Sequence, residues 1–191
     1  MLALLVVAVI VWFLWRSGLF YRVHVEVASP PIKGTWEMLY QFHTGPYQNC
    51  GSVFQELGRR TPDDANMVGI FYDDPKRIPA KQLRWAAGVI VSENGTDTVD
   101  QLTVGKLRNE LQCKQFKAPA VSSAVTSRFC FNTWLSPMLG AMKVYGPIGR
   151  FIELNRLKAY PAVEVYWNAS RQIFYYMPLE NQNQFMVAEY H

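Results

Sequence analysis

Hydrophobic residues are unevenly spread along the chain, and the densest run lies at the N-terminus. Residues 1–15 contain no polar side chain, and apolar character continues to about residue 21, with Arg16 placed to reach lipid headgroups. No basic stretch precedes this run and no small-x-small cleavage site follows it, which argues against a cleaved signal peptide. We therefore expect residues 1–21 to form an uncleaved transmembrane anchor.

The first basic side chains of the sequence, Arg16, Arg22 and Lys33, all follow the apolar run. The positive-inside rule then predicts a luminal N-terminus and a cytosolic body. The lipid bilayer is accordingly an expected partner of this chain.

Residues 22–34 predict a short extended lead-in, because valines alternate with polar residues before Pro30-Pro31. Two sets of elements then follow in the same order of strand, helix, strand and strand. The first set is predicted near 35–43, 47–58, 67–72 and 83–92. The second is predicted near 121–130, 133–155, 162–167 and 172–177. The polar connector over 93–120 has a short helix expected near 99–111, and Gly146-Pro147 is expected to interrupt the long helix.

The two sets, about 35–92 and 121–178, predict an α+β fold over residues 35–191. Such units usually merge into one antiparallel sheet with both helices on one face. The opposite face would then be free to form a groove near the pseudo-two-fold axis.

Composition narrows the function classes. Of the 191 residues, 50% are hydrophobic and 14% aromatic, which suffices for a core and argues against disorder. The three cysteines lack metal-ligand spacing, and neither a phosphate loop, a dinucleotide fingerprint nor a nucleophile elbow occurs. We expect no metal and no cofactor. The net charge of +4 comes from scattered residues, so nucleic-acid binding is not predicted.

Short segments placed in order along the chain resemble the GyrI-like (gyrase-inhibitor-like) domain family. They are residues 40–47 (YQFHTGPY), 71–75 (FYDDP), 88–93 (GVIVSE) and 159–166 (AYPAVEVY). The apolar N-terminus and residues 25–32 (VEVASPPI) further resemble an animal branch of this family, the membrane-anchored ER-phagy receptors.

This resemblance implies a duplicated fold of the SHS2 type with a small-molecule groove. It also implies a single-pass protein of the endoplasmic reticulum membrane, with a cytosolic domain that acts in reticulophagy as a receptor or adaptor. In that branch a disordered tail binds Atg8-type proteins and the p97 ATPase. The chain stops at His191, directly after the last predicted strand. We therefore expect the tail and these partners to be missing.

Glu164 is the main candidate for chemistry, since it interrupts an apolar strand with Val163 and Val165 on the opposite face. The pattern leaves open a solvent-facing side chain, a groove carboxylate and a buried carboxyl with a raised pKa. The resemblance implies the groove, because relatives carry a Glu in this Glu-x-Tyr setting that attracts cationic, aromatic ligands. The predicted ligand-binding residues are Glu164, Tyr166, Tyr72, Trp85 and Trp134.

The sequence is compatible with three functions. The first is a ligand-binding or adaptor module of the receptor branch. The second is a hydrolase that opens strained cyclopropane rings or other electrophiles, as some bacterial relatives do, with Glu164 as the candidate catalytic group beside Tyr166. The third is a membrane-tethered ligand sensor. We favour binding over catalysis.

Overall fold

The computed structural model describes residues 1–190, which form four α-helices and nine β-strands. In chain order these are α1 (Leu2–Arg16), β1 (Glu26–Ala28), β2 (Trp36–Thr44), α2 (Cys50–Gly58), β3 (Met67–Phe71), β4 (Arg84–Glu93), β5 (Thr96–Asp97), α3 (Gln101–Asn109), β6 (Lys114–Ala118), β7 (Ala124–Cys130), α4 (Ser136–Leu154), β8 (Ala162–Trp167) and β9 (Gln172–Pro178). Short 3-10 turns include Tyr47–Asn49, directly before α2, and Gln182–Phe185 near the C-terminus.

All strand pairs of the described residues are antiparallel and belong to one sheet. The strand order is β1-β7-β9-β8-β3-β4-β2-β6, and β5 pairs with β4 beside this path. The central pair is β3 with β8. Read outward from this pair, one half runs β3, β4, β2 and the other runs β8, β9, β7. In each half, the second strand in chain order lies at the centre of the sheet, the third lies next to it, and the first lies outermost of the three.

The two faces of the sheet are covered by different parts of the chain. Helices α2, α3 and α4 cover one face, where side chains such as Leu57, Leu107 and Ile148 are fully buried against the strands. Because side chains alternate along a strand, Val163 and Val165 of β8 point to the second face and Glu164 points beneath the helices. The predicted antiparallel sheet with the helices on one face is thus present.

The second face is not the open groove that the pattern predicted. Residues 182–190 cross it, and the side chains of Phe185 and Val187 are fully buried there. The hydroxyl of Tyr72 donates a hydrogen bond of 3.3 Å to the carbonyl of Phe185, and the hydroxyl of Tyr40 donates one of 2.7 Å to Glu189. The C-terminal segment therefore completes the core of this face.

Two local predictions differ from the structure. The connector contains β6, which pairs with β2 at the sheet edge; its mostly exposed side chains give no hydrophobic alternation. Helix α4 runs without a break through Pro147. The tight contact of α4 with the sheet holds both halves of the helix in line, since Val144 and Ile148 are buried on either side of this proline.

The N-terminal helix is shorter than predicted. Helix α1 has 15 residues and covers about 22 Å, whereas a hydrocarbon core is about 30 Å thick. Among residues 1–190, no helix combines the length and the apolar character that crossing a membrane requires. The predicted transmembrane anchor over 1–21 is therefore wrong, and so is the predicted location as a single-pass protein of the endoplasmic reticulum membrane.

The chain turns at residues 17–21 and contacts the domain there. Ser17 is fully buried, and its hydroxyl accepts a hydrogen bond of 2.8 Å from Thr133. The ring of Tyr21 lies 4.9 Å from that of Phe129, centroid to centroid. The C-terminal end of α1 is thereby held near the start of α4.

Truncation of Phe185 tests the role of the C-terminal segment. Phe185→Ala removes a fully buried ring between Trp36 and Tyr176, so we expect a loss of about 3–5 kcal/mol in the free energy of unfolding. Leu154→Ala, at a side chain that is 84% exposed, is the control and should change stability by less than about 0.5 kcal/mol. Urea unfolding measures both variants. Equal losses would show that the segment is not part of the core.

Candidate functional site

Glu164 lies in β8 at the centre of the sheet and is 4% exposed. One carboxylate oxygen accepts a hydrogen bond of 2.5 Å from the hydroxyl of Tyr145, and the other accepts one of 2.6 Å from Tyr166. Tyr166 reaches it because residues two apart on a strand share a face. Tyr145 reaches it from α4 above. Of the three arrangements left open by the sequence, the structure shows the buried carboxyl.

Two glycines make room for this arrangement. Gly69 of β3 lies directly opposite Glu164 and adds no side chain of its own there. A Cβ atom at Gly69 would lie 2.8 Å from the ring of Phe71. In α4, a Cβ atom at Gly140 would overlap the hydroxyl oxygen of Tyr175. The absence of these side chains lets the strands and α4 approach closely.

Aromatic side chains pack against the two tyrosines that hydrogen-bond to the carboxylate. The ring centroid of Phe54, from α2, is 4.9 Å from that of Tyr166, and Phe131 contacts the same ring at 5.6 Å. The ring of Tyr175 is the cross-strand neighbour of Glu164 and meets Tyr145 edge to face at 5.7 Å. The hydroxyl of Tyr175 is buried and has no hydrogen-bond partner. We call this set of five rings with Glu164 the carboxylate cluster.

The negative charge of Glu164 has no basic partner. No Lys, Arg or His within the described part of the chain forms an ion pair with it. Burial raises the pKa of the Glu164 carboxyl, and the hydrogen bonds from Tyr145 and Tyr166 only partly oppose this rise. The site is thus a carboxyl group held among rings with its charge unbalanced.

The neighbouring acids are held in their neutral forms. Burial, followed by the nearby Glu164, raises the pKa of the Tyr145 and Tyr166 hydroxyls well above the ordinary value. The same two causes raise the pKa of the Cys50 thiol, at the start of α2, to about 12. This thiol is therefore not an activated nucleophile at neutral pH. Across residues 1–190, no group of three or more His, Cys, Asp or Glu side chains is arranged to hold a metal ion.

The structure brings together only two of the five predicted site residues, Glu164 and Tyr166. Trp85 shares the helix-covered face but belongs to another part of the core, where its ring stacks on His43 and its Nε1 donates to Gly45. Tyr72 lies on the second face.

Trp134 is 80% exposed and lies beside the ring of Phe13. Trp85, Tyr72 and Trp134 therefore do not contact Glu164 in this arrangement. A role of the five residues in ligand binding stays a prediction.

Sequence reasoning missed Tyr145 as the second hydroxyl donor and Cys50 as a near neighbour. It included Tyr175 only within the strand predicted near 172–177. The register of β8 and β9 offered a signal, because a hairpin that pairs Trp167 with Gln172 also pairs Glu164 with Tyr175. For Tyr145 no comparable signal exists, since its approach depends on how α4 crosses the sheet.

Comparison with solved structures identifies the class of fold. The chain is similar to the C-terminal domain of EcmrR, with a TM-score of 0.53 over 84% of this chain and 98% of that domain. The two sequences are 14% identical, so this likeness concerns the fold alone. No family model matches the sequence.

Sequence comparison identifies particular relatives. The chain is 33% identical over 188 residues to testis-expressed protein 264 of Homo sapiens, covering 98% of this chain and 58% of that protein. It is 32% identical over 177 residues to the homolog of Mus musculus, covering 93% of this chain and 55% of that protein. The chain is thus homologous to testis-expressed protein 264 and spans a little over half the length of these relatives.

Replacement of Glu164 tests its charge state. The folded-state pKa is raised above the ordinary value of 4.5, so the stability of the native protein is greatest below that value and falls as the pH rises through the folded-state pKa. Glu164→Gln removes this loss, and its melting temperature should exceed that of the native protein at pH 7 by about 2–4 °C per kcal/mol gained. Thermal melts between pH 4 and pH 8 should show the difference growing with pH.

Glu189→Gln is a control variant for which we expect the opposite change in melting temperature. One carboxylate oxygen of Glu189 accepts a hydrogen bond from the hydroxyl of Tyr40. The other oxygen lies 2.6 Å from Nζ of Lys114. Burial alone would raise the pKa of Glu189, but the hydrogen bonds from Lys114 and Tyr40 lower it overall. Glu189→Gln should therefore lower the melting temperature at pH 7, by an amount that shrinks as the pH falls. A Glu164→Gln effect that does not vary with pH would contradict the raised pKa.

Proposed function

We propose that this domain binds a small cationic ligand with an aromatic or apolar body, and that Glu164 is the charge that the ligand recognises. The observation that carries the proposal is the carboxyl of Glu164, which is 4% exposed and has no basic partner. A buried carboxylate is costly unless a cation compensates it. A ligand cation would supply the missing charge.

The surroundings of the carboxylate suit such a ligand. Phe54 and Phe131 pack against Tyr166, so aromatic rings lie next to this hydroxyl donor. A cation is attracted to the negative face of an aromatic ring. This attraction strengthens when the cation is desolvated between rings. The resemblance to the GyrI-like family supports the same choice, because relatives use a glutamate in a Glu-x-Tyr setting for cationic, aromatic ligands.

Access to Glu164 involves Tyr145. This tyrosine is half-buried, and its hydroxyl contacts the carboxylate. Rotation of the Tyr145 side chain would free the carboxylate oxygen that now accepts its hydroxyl. The ligand cation then replaces the hydroxyl as the partner of that oxygen, and Tyr166 keeps its own hydrogen bond.

Hydrolysis of an electrophilic ligand at Glu164 stays a prediction. A raised pKa suits a general base. However, both carboxylate oxygens already accept tyrosine hydroxyls. Binding needs the displacement of one hydroxyl, whereas catalysis also needs a placed water molecule. We therefore place binding first.

Calorimetric titration with tetraphenylphosphonium tests the proposal on the full chain. We expect binding in the micromolar range at pH 7.5, and weaker binding of the neutral triphenylphosphine oxide. Glu164→Gln should reduce the affinity for the cation at least tenfold, because the amide keeps the shape but not the charge. Affinity should also fall as the pH is lowered through the raised pKa of Glu164, since protonation removes the recognised charge.

Glu189→Gln is the matched control for this titration. It removes a carboxylate that also accepts a tyrosine hydroxyl, on the opposite face of the sheet. Its affinity for tetraphenylphosphonium should equal that of the native protein. Equal binding by native protein and Glu164→Gln, or equal affinity for the neutral compound, would overturn the proposal.

A further inference from the structure

Helix α4 borders a concave surface on its outer side, away from the sheet. An open groove of about 620 Å³ lies between the middle of α4, the loop after β3 and the lead-in segment before β1. Val23, Met142 and Pro147 contribute its apolar lining. Met142 is 73% exposed, so the apolar surface is open to solvent. We call this surface the α4 groove.

The charged residues that line the α4 groove are all basic. They are Lys76 from the loop, and Lys143 and Arg150 from α4. None of the three forms an ion pair with an acidic side chain within residues 1–190. The ammonium group of Lys143 donates to the backbone carbonyls of Gly18 and Leu19, which do not neutralise its charge.

The spacing of α4 explains how one helix forms this surface. Met142, Gly146 and Arg150 follow one another at intervals of four residues and therefore share a side of the helix. A Cβ atom at Gly146 would meet no other atom within 4 Å, so this position leaves the groove open. Val144 and Ile148, on the opposite side, are fully buried against the sheet.

We propose that the α4 groove binds a single-chain amphiphilic anion, an acyl chain with a carboxylate or phosphate headgroup. The headgroup lies among Lys76, Lys143 and Arg150, and the chain covers Met142 and Val23. Charge complementarity carries this choice, because three unneutralised cations border an exposed apolar strip without an acidic residue in the lining. The site is separate from the carboxylate cluster and opposite to it in charge.

Calorimetric titration of the full chain with dodecanoate and dodecyl phosphate, each below its micelle concentration, tests this site. We expect 1:1 binding of at least one of the two, and their relative affinities identify the headgroup. Dodecyltrimethylammonium and inorganic phosphate should each bind at least tenfold more weakly. The first lacks the anionic headgroup and the second lacks the chain. Equal binding of either control compound would overturn the proposal.

Charge-reversed variants locate the headgroup. The exposed pair Lys76→Glu with Arg150→Glu should lower the affinity for the bound amphiphile at least tenfold. The pair Lys81→Glu with Lys106→Glu changes the net charge equally, at exposed lysines that do not line the groove, and should leave affinity unchanged. Equal losses in both pairs would show a general charge effect and would overturn the assigned site.

A second comparison tests the acyl chain. Met142→Glu places an anion in the apolar lining, whereas Met138→Glu makes the same change one turn earlier, outside the groove. Both side chains are more than half exposed, at 73% and 55%, so both variants should fold like the native protein. We expect at least a tenfold loss for Met142→Glu alone. Unchanged affinity in Met142→Glu would overturn the proposed path of the chain.

Discussion

The antiparallel pairing of β3 with β8 is the constraint on which the rest of the structure depends. It joins the two halves of the sheet, so neither half exposes a long central edge. It also decides what stands beside Glu164, since the register places Gly69 directly opposite. A shift of one residue would turn Glu164 towards the second face, among Val165 and its neighbours. The position of the carboxylate is therefore a consequence of sheet assembly.

Helix α4 separates surfaces of opposite charge. On its inner side, Tyr145 donates to a buried carboxylate, and burial raises the pKa of that carboxyl. On its outer side, Lys143 and Arg150 border an exposed apolar strip with no acidic partner. One helix can border both sites because its opposite sides have different environments. Met142 is exposed to solvent, whereas Val144 is buried against the sheet.

Pattern analysis predicted most strands and the three helices that cover the sheet, because alternation and helical spacing record which side chains are buried. The same analysis failed where the burial of a side chain depends on contacts with residues far away in the sequence. The polar C-terminal segment covers the second face with only two side chains, Phe185 and Val187, too few to form a pattern. Strand β6 is held by pairing with β2. The transmembrane prediction failed on length, because helix α1 ends at Arg16 where the chain turns onto the domain.

By itself, the sequence determined that Glu164 shares a strand face with Tyr166 and that the chain has an α+β pattern, because both follow from local periodicity. It did not determine which residues close over the carboxylate. Tyr145 is brought to Glu164 only by the angle at which α4 crosses the sheet. Tyr72 and Trp134 were placed elsewhere by the same packing. Contacts between elements distant in sequence depend on which faces meet, and this is decided only when the whole sheet has assembled.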